Sequence, residues 1–317
     1  MNSGVKDRFL GTLLGMAAGA SFGAPVREKS ATEIRKIGVK ALEESIASPA
    51  SGEPIDELGL ASLWLDSLAK HGRIEPEDVA ARYVAWFGAR PRRVSALTRA
   101  AIEELAKGTP PGDSGRLAWE AVGGEADENG GLLAAVPVGL LHAAELRGVA
   151  DDAAAASRIT HADPRCVAAS RAAAMAIALA VRGQDDEVVE RASLVASPSP
   201  AVREVVEQAF DAIPKKLVLD GPDRRSCIRA TLAAFVAYGQ GPSFDRGLKA
   251  VIERGGDTAV NGALAGALLG ARYGLRGVPE RWYPGIAGRE EILAAGEARW
   301  ARAFAAREAR LAEQPGA

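Results

Sequence analysis

The sequence predicts an all-α fold, a compact orthogonal bundle of many helices, and three observations carry that prediction. Glycines recur every four residues in two places, at Gly11, Gly15, Gly19 and Gly23 and again at Gly262, Gly266, Gly270 and Gly274. At that period they lie on one face of a helix. A helix-interior glycine costs about 1 kcal/mol relative to alanine, so each stripe needs another backbone pressed against it. Aromatic residues make up only 5% of the 317 residues, while hydrophobic residues make up 48%. Small side chains therefore fill the core, and helices sit close together. Finally, no stretch alternates apolar and polar residues for long enough to be a strand.

Residues 7–22 form a buried helix with Leu10, Leu13, Leu14 and Ala17 on one face, ended by Gly23, Ala24 and Pro25. From 27 to 54 the chain is charged and then rich in Ser, Pro and Gly, which predicts a mobile surface loop, flexible around 29–54. Asp56 and Glu57 stand directly before Leu58, Leu60, Ala61, Leu63, Trp64, Leu65 and Leu68, a second buried helix. Helices follow over 75–86 and 94–107. The stretch 108–131 is rich in Gly, Pro, Asp and Glu and ends in Asn129-Gly130-Gly131, a tight backbone loop. The apolar helix over 132–146 contains Pro137, and an interior proline costs about 3 kcal/mol, so the helix either kinks there or starts late. Thr160-His161-Ala162-Asp163-Pro164 leads into an alanine-rich helix to Val181. Further helices cover 185–196, 201–213, 227–238 and 244–254. Gly255-Gly256-Asp257-Thr258 opens the second glycine stripe, and a charged, alanine-rich terminal helix covers 289–312. No internal repeat or linker divides residues 1–317, which are expected to form a single domain.

Charged residues make up 25% and the formal net charge is −2, which gives no reason to expect nucleic acid or an anionic membrane as partner. Cys166 and Cys227, with no metal-type spacing, read as free thiols of a reducing compartment, and a cytoplasmic location is expected. Lys6 and Arg8 before an apolar run, with Ala18-Gly19-Ala20 beyond, imitate a secretory signal. The helical glycine spacing and the low leucine density argue against that reading. No apolar run reads as long enough to span a bilayer. Oligomeric state leaves no mark in the sequence.

Several short motifs then occur in one collinear order. They are Arg8-Phe9-Leu10-Gly11 with Leu14-Gly15, Gly23-Ala24-Pro25-Val26, the acidic pair before the Leu58 helix, Asn129-Gly130 with Val136-Pro137, Thr160-His161 with Asp163-Pro164, and Gly255-Gly256-Asp257-Thr258. Over most of the chain this order resembles the ADP-ribosylglycohydrolase family, which includes the dinitrogenase reductase-activating glycohydrolases. The resemblance implies an all-α fold with a hydrolytic site between helix ends. It also implies two magnesium ions, held by a Thr-Asp-Asp run and an Asp-Thr-Asp-Thr run, that orient ribose hydroxyls and a water. Position by position, this sequence departs from that pattern. Ile55-Asp56-Glu57 stands for the first run and Asp257-Thr258-Ala259-Val260 for the second. Gly19-Ala20 stands for a Gly-Asp, Arg27 followed by Glu28 for the acidic residue beyond Ala-Pro-Val, and Ala134 for an arginine.

What the resemblance implies for the site is therefore a reduced set. Asp56, Glu57 or Asp257 is expected to act as general base or to stabilise oxocarbenium-like charge, and Glu28 to be a replacement acid. Arg27 is expected to take part of a cation's electrostatic role against those carboxylates. Substrate contacts are expected from Asn129, Gly130 and Gly131, from His161, and from Gly255, Gly256 and Thr258. No cofactor is required; at most one weakly bound Mg²⁺ would sit on Asp56, Glu57 and Asp257. Read on their own, the residues leave alternatives open. Asp257 also suits a helix N-cap, and Asp56 with Glu57 suits a helix dipole. His161 suits a structural role, Asn129-Gly130 a turn, and Arg27 a solvated loop. Two functions are thus expected. One is a hydrolase for an N-ribosyl or related bond of an ADP-ribose- or nucleotide-like molecule, with little or no metal dependence. The other is an inactive relative that binds ADP-ribose or a protein partner.

Overall fold

In the computed structural model, which describes residues 3–48, 56–89, 91, 94–211 and 217–312, the two glycine stripes face each other. Helix α1 (Ser3–Gly23) leads into α2 (Ala31–Ile37), α3 (Val39–Ala47), α4 (Asp56–His71), α5 (Pro76–Gly88), α6 (Ala96–Ala106) and α7 (Pro111–Ala121). A 3₁₀ turn over Asn129–Ala134 runs into α8 (Ala135–Leu141), followed by α9 (Val149–Arg158), α10 (Pro164–Val181), α11 (Asp186–Ala196) and α12 (Pro200–Asp211). The chain closes with α13 (Cys227–Gln240), α14 (Phe244–Ile252), α15 (Thr258–Tyr273) and α16 (Arg289–Ala312). Among the described residues there is no strand, only isolated bridges between Ser30 and Gly255 and between Glu128 and Ser226.

Glycine explains the central packing. Gly11 faces Gly270, Gly15 faces Gly266, and Gly19 faces Gly262. Each step of four along α1 is thus a step of four back along α15, so the helices run antiparallel. A Cβ on Gly262 would lie 2.6 Å from the Gly19 carbonyl oxygen, and one on Gly11 would lie 2.6 Å from that of Gly270. No side chain fits at these positions, and backbone dispersion replaces side-chain packing. The close approach holds the C-terminal end of α1 beside the N-terminal end of α15, and the candidate site is built there.

Around this pair, α10 packs against α8, α9, α11, α13 and α15, while α16 lies along α1. One hydrophobic cluster runs from Phe9 to Ile286, with a small satellite of Leu97, Ala101 and Ala118. Contrary to the sequence expectation, α1 and α10 are both long and apolar enough by length and composition to cross a bilayer. The apolar stretch that includes α1 is 83% buried and that of α10 78% buried inside the fold, so both are core helices here.

Two other expectations change, and one is resolved. The stretch expected as a mobile loop contains α2 and α3 up to Ala47, while its Ser/Pro/Gly-rich part at 49–55 lies outside the described residues. Helix α2 is fixed by a capping box: the Ser30 hydroxyl accepts from the Glu33 N–H at 3.2 Å, and the Ser30 N–H donates to Glu33 Oε2 at 2.7 Å. The irregular stretch after Gly108 contains α7, whose Pro111 stands at the first helical position, where a missing N–H costs nothing. Of the two alternatives at Pro137, the late start holds: α8 begins at Ala135 and not at 132. Pro137 is the third residue of α8, and residues in the first turn need no intrahelical N–H bond.

Candidate functional site

Four chain segments converge where α1 ends and α15 begins. Beyond α1 comes the 3₁₀ turn Ala24–Val26, with Pro25 as its second residue, and the chain then passes through Arg27 to Glu28. Glu28 is the only described non-glycine residue with positive φ, at 71°. That reversal lets Glu28 donate its N–H to the Gly256 carbonyl at 2.8 Å, while the Gly256 N–H donates to the Lys29 carbonyl at 2.9 Å. Gly255 and Gly256 also have positive φ, 72° and 78°, and a Cβ on Gly255 would lie 2.5 Å from the Lys29 oxygen. Only glycine permits this two-segment clamp. It places Arg27 against Asp257.

The Arg27 guanidinium bridges two helix starts. Its Nη2 donates to Glu57 Oε1 at 2.6 Å and to Asp257 Oδ2 at 3.2 Å, and Nη1 donates to Glu57 Oε2 at 3.3 Å. Its Nε lies 2.8 Å from Asp257 Oδ1, close enough for an ion pair though not aligned for a hydrogen bond. Glu57 is the second residue of α4 and 8% exposed; Asp257 precedes the first residue of α15 and is 1% exposed. Burial opposes the Arg27 charge, but attraction to Asp257 and Glu57 outweighs it and raises the guanidinium pKa further. Burial raises the Asp257 pKa and the Glu57 charge adds to that, with Arg27 pulling the other way. Asp257 occupies the N-cap position, but the partner that dominates its side chain is Arg27.

These groups line a cavity of about 390 Å³. Asp56, Glu57, Asp257, Arg27 and Glu28 contribute to it, as do Asn129 and Gly130. Glu128, Arg225, Leu60, Trp86, Val94, Ser95 and Thr98 complete the lining. Five carboxylates thus face two guanidiniums, so the cavity is net negative and suits a group that develops positive charge.

Glu28 does not stand as a free acid. It accepts from Arg224 Nε and Arg225 Nε, each at 2.7 Å. Burial works to raise its pKa, but those arginines bring it below the ordinary value. It is therefore held as a carboxylate, which is the wrong state for a proton donor.

His161, Gly131, Gly255, Gly256 and Thr258 stand behind the lining and hold the groups that form it. His161 is 1% exposed, and burial depresses its pKa to about 4, so the ring is neutral at pH 7. Its Nδ1 lies 2.8 Å from Thr160 Oγ1, and its Nε2 has no partner among the described residues. The ring packs under the 129–131 turn, where a Cβ on Gly131 would lie 2.7 Å from Nδ1. Thr258 donates its hydroxyl to the Gly23 carbonyl at 2.7 Å, satisfying an orphan acceptor at the end of α1.

Sequence reasoning missed Asn261. It is fully buried; its Oδ1 accepts from Asn129 Nδ2 at 3.1 Å, and its backbone N–H donates to the Asp257 carbonyl at 2.9 Å. Asn261 therefore links the 129–131 turn to Asp257. A lone amide in an otherwise Ala/Gly/Leu helix was the available signal. Trp86, Ser95, Thr98 and Arg225 had none, because the segments that bring them to the cavity are distant in sequence from the motifs; Glu128 directly precedes Asn129 but belongs to no motif.

The sequence profile described as ADP-ribosylglycohydrolase matches residues 1–312. The chain is 26% identical over 288 residues to the ADP-ribosyl-[dinitrogen reductase] glycohydrolase of Rhodospirillum rubrum, covering 88% of this chain and 90% of that one. It is likewise 26% identical over 300 residues to an uncharacterized protein of Archaeoglobus fulgidus, covering 90% and 93% of the two chains. A solved structure titled ADP-ribosylglycohydrolase-related protein complex superposes with a TM-score of 0.76 at 26% identity, over 95% of this chain and 100% of that one.

Proposed function

This chain belongs to the ADP-ribosylglycohydrolase family, and we propose that it hydrolyses an N-ribosyl or related bond of an ADP-ribose- or nucleotide-like molecule or adduct. The observation that carries the reading is the convergence of Asp56, Glu57 and Asp257 on one cavity at the starts of two helices. In this reaction a water oxygen attacks the anomeric carbon as the bond to the leaving nitrogen breaks, and positive charge develops on the ribose. Asp257 accepts the water proton, helped by a pKa that burial has raised. The same proton is then available to the leaving nitrogen. Asp56 and Glu57 supply negative charge opposite the oxocarbenium-like ribose. Asn129 and Gly130 bind the ligand through the turn that His161 and Asn261 support.

The family resemblance implies two magnesium ions, and the residues present do not fit them. Mg²⁺ asks for near-octahedral oxygen coordination. Ala259 and Val260, which stand where a carboxylate and a hydroxyl are expected, are fully buried apolar residues. Arg27 lies between Glu57 and Asp257, and among the described residues no three His, Cys, Asp or Glu side chains are grouped as a metal site. The proposed chemistry therefore routes no step through a metal. We place the protein in the cytoplasm, a reading supported by its two buried free thiols, Cys166 and Cys227.

A second reading, a protein that binds but does not hydrolyse, draws on the pairing of Glu57 and Asp257 with Arg27, which engages the carboxylates that base catalysis needs. Chromatography after incubation with ADP-ribosyl-arginine or NAD separates the two. Release of ADP-ribose that persists in chelator and vanishes in Asp257→Asn supports hydrolysis. Calorimetric binding of ADP-ribose without turnover supports the second reading, and absence of both defeats the two together.

A further inference from the structure

We infer that Arg27 is the built-in cation of this site, seated where two buried carboxylates would otherwise hold a divalent ion, and that its removal turns the chain into a divalent-cation binder. Glu57 and Asp257 stand at the starts of α4 and α15, so both helix dipoles favour negative charge at the same point. Two carboxylates that close and that buried require a compensating cation. Arg27 meets all four of their oxygens through three nitrogens, at 2.6 to 3.3 Å. Its side chain is itself only 10% exposed.

The backbone is built to deliver it. The Glu28 reversal at φ 71° and the backbone bonds of Glu28 and Lys29 to Gly256 fix the Arg27 Cα. The Glu28 carboxylate, tied to Arg224 and Arg225, holds the next residue away from the cluster. A guanidinium supplied this way differs from a bound ion in three respects: it does not dissociate, it brings no coordinated water, and chelators do not remove it. Its planar fork matches carboxylates in a way that a lysine ammonium does not. Arg27 is thus a positioning residue, fixing the two carboxylates at the separation its own fork dictates.

This inference deepens the reading of the cavity as a hydrolytic site, but its test needs no substrate. Wild type, Arg27→Ala, Arg27→Lys and the double variant Arg27→Ala/Asp257→Asn are titrated with Mn²⁺ by calorimetry, and thermal unfolding is followed with Mn²⁺ and with chelator. Wild type and Arg27→Lys are expected to bind no Mn²⁺ at this site. Arg27→Ala is expected to unfold about 6–10 °C lower in chelator, from the loss of a buried partner. It should regain most of that in Mn²⁺ and bind one ion per chain, and the double variant should lose the binding. If Arg27→Ala is insoluble, refolding in Mn²⁺ must recover it. The inference is overturned if Arg27→Ala gains no Mn²⁺ binding or recovery, or if wild type binds Mn²⁺ in a manner that Asp257→Asn abolishes. Failure of all ADP-ribosyl substrates to turn over would remove the proposed function and leave this result standing.

Discussion

Replacing Gly262 with alanine sets two effects of known size against each other. By helix propensity alone the substitution stabilises by about 1 kcal/mol. Against this, the new methyl would stand 2.6 Å from the Gly19 carbonyl oxygen and 2.8 Å from Ile252 Cδ1, where ordinary contact begins at 3.4 Å. The overlap with Gly19 is 3.4 − 2.6 = 0.8 Å, and the obstacle is backbone, which has no rotamer to change. Overpacking of this kind costs about 1–3 kcal/mol. The upper end applies, since α1 can retreat only by losing contact along the whole stripe. The net expectation is a loss of roughly 2 kcal/mol, seen as a fall of roughly 3–5 °C in the thermal unfolding midpoint. Gly112→Ala in α7, where nothing lies within 4 Å of the new methyl, is the control and should be neutral or slightly stabilising. Thermal unfolding by circular dichroism reads both. A Gly262→Ala protein as stable as wild type would refute the argument, because it would mean that α1 and α15 have slack between them. The variant should also weaken ADP-ribose binding, since Gly262 lies just over one turn from Asp257.

Two further outcomes are expected. His161 is neutral in the fold with a pKa of about 4, against an ordinary 6.5, so the unfolded chain binds more protons between those values. Stability is then complete above pH 6.5 and declines by up to roughly 3 kcal/mol as pH falls toward 4. Urea unfolding midpoints at pH 7 and pH 5 should show this decline in wild type and a shallower one in His161→Gln; equal slopes would count against it. Asn261→Leu leaves Asn129 Nδ2 without its partner while also removing the unpartnered Asn261 Nδ2. The two changes partly offset, so stability should fall by only about 1 kcal/mol, whereas ADP-ribose affinity should fall about fivefold as the 129–131 turn loosens; unchanged affinity in calorimetry would sink the positioning role of Asn261.

The parts of the fold legible in the sequence were those with a local, repeated signature. The glycine stripes identified α1 and α15 and their close approach, because a four-residue glycine period has few other physical meanings. Helices α2, α3, α7 and α9 were missed, α2 and α7 for a local reason as well. Ser30 with Glu33 was a readable capping box, but the charged and Pro/Gly-rich context outweighed it, and Pro111-Gly112 reads as a break although proline is welcome at a helix start. The acids Asp56, Glu57 and Asp257 were identified as candidates through family motifs. Their joint engagement by Arg27 rests on a backbone reversal at Glu28 that no propensity reveals. For Glu28 the sequence offered a carboxylate but no sign of the two arginines about 196 positions away that hold it. The wall formed by Trp86, Ser95, Thr98 and Arg225 depends entirely on tertiary packing.

An ADP-ribose-like ligand is expected to meet a site whose two buried carboxylates, Glu57 and Asp257, are paired with Arg27 and not with magnesium. Titration of the wild-type chain with ADP-ribose by calorimetry, once in excess chelator and once in excess Mg²⁺, addresses it directly. Binding of the same affinity is expected in both conditions. Binding that appears only with Mg²⁺, or that chelator abolishes, would contradict it.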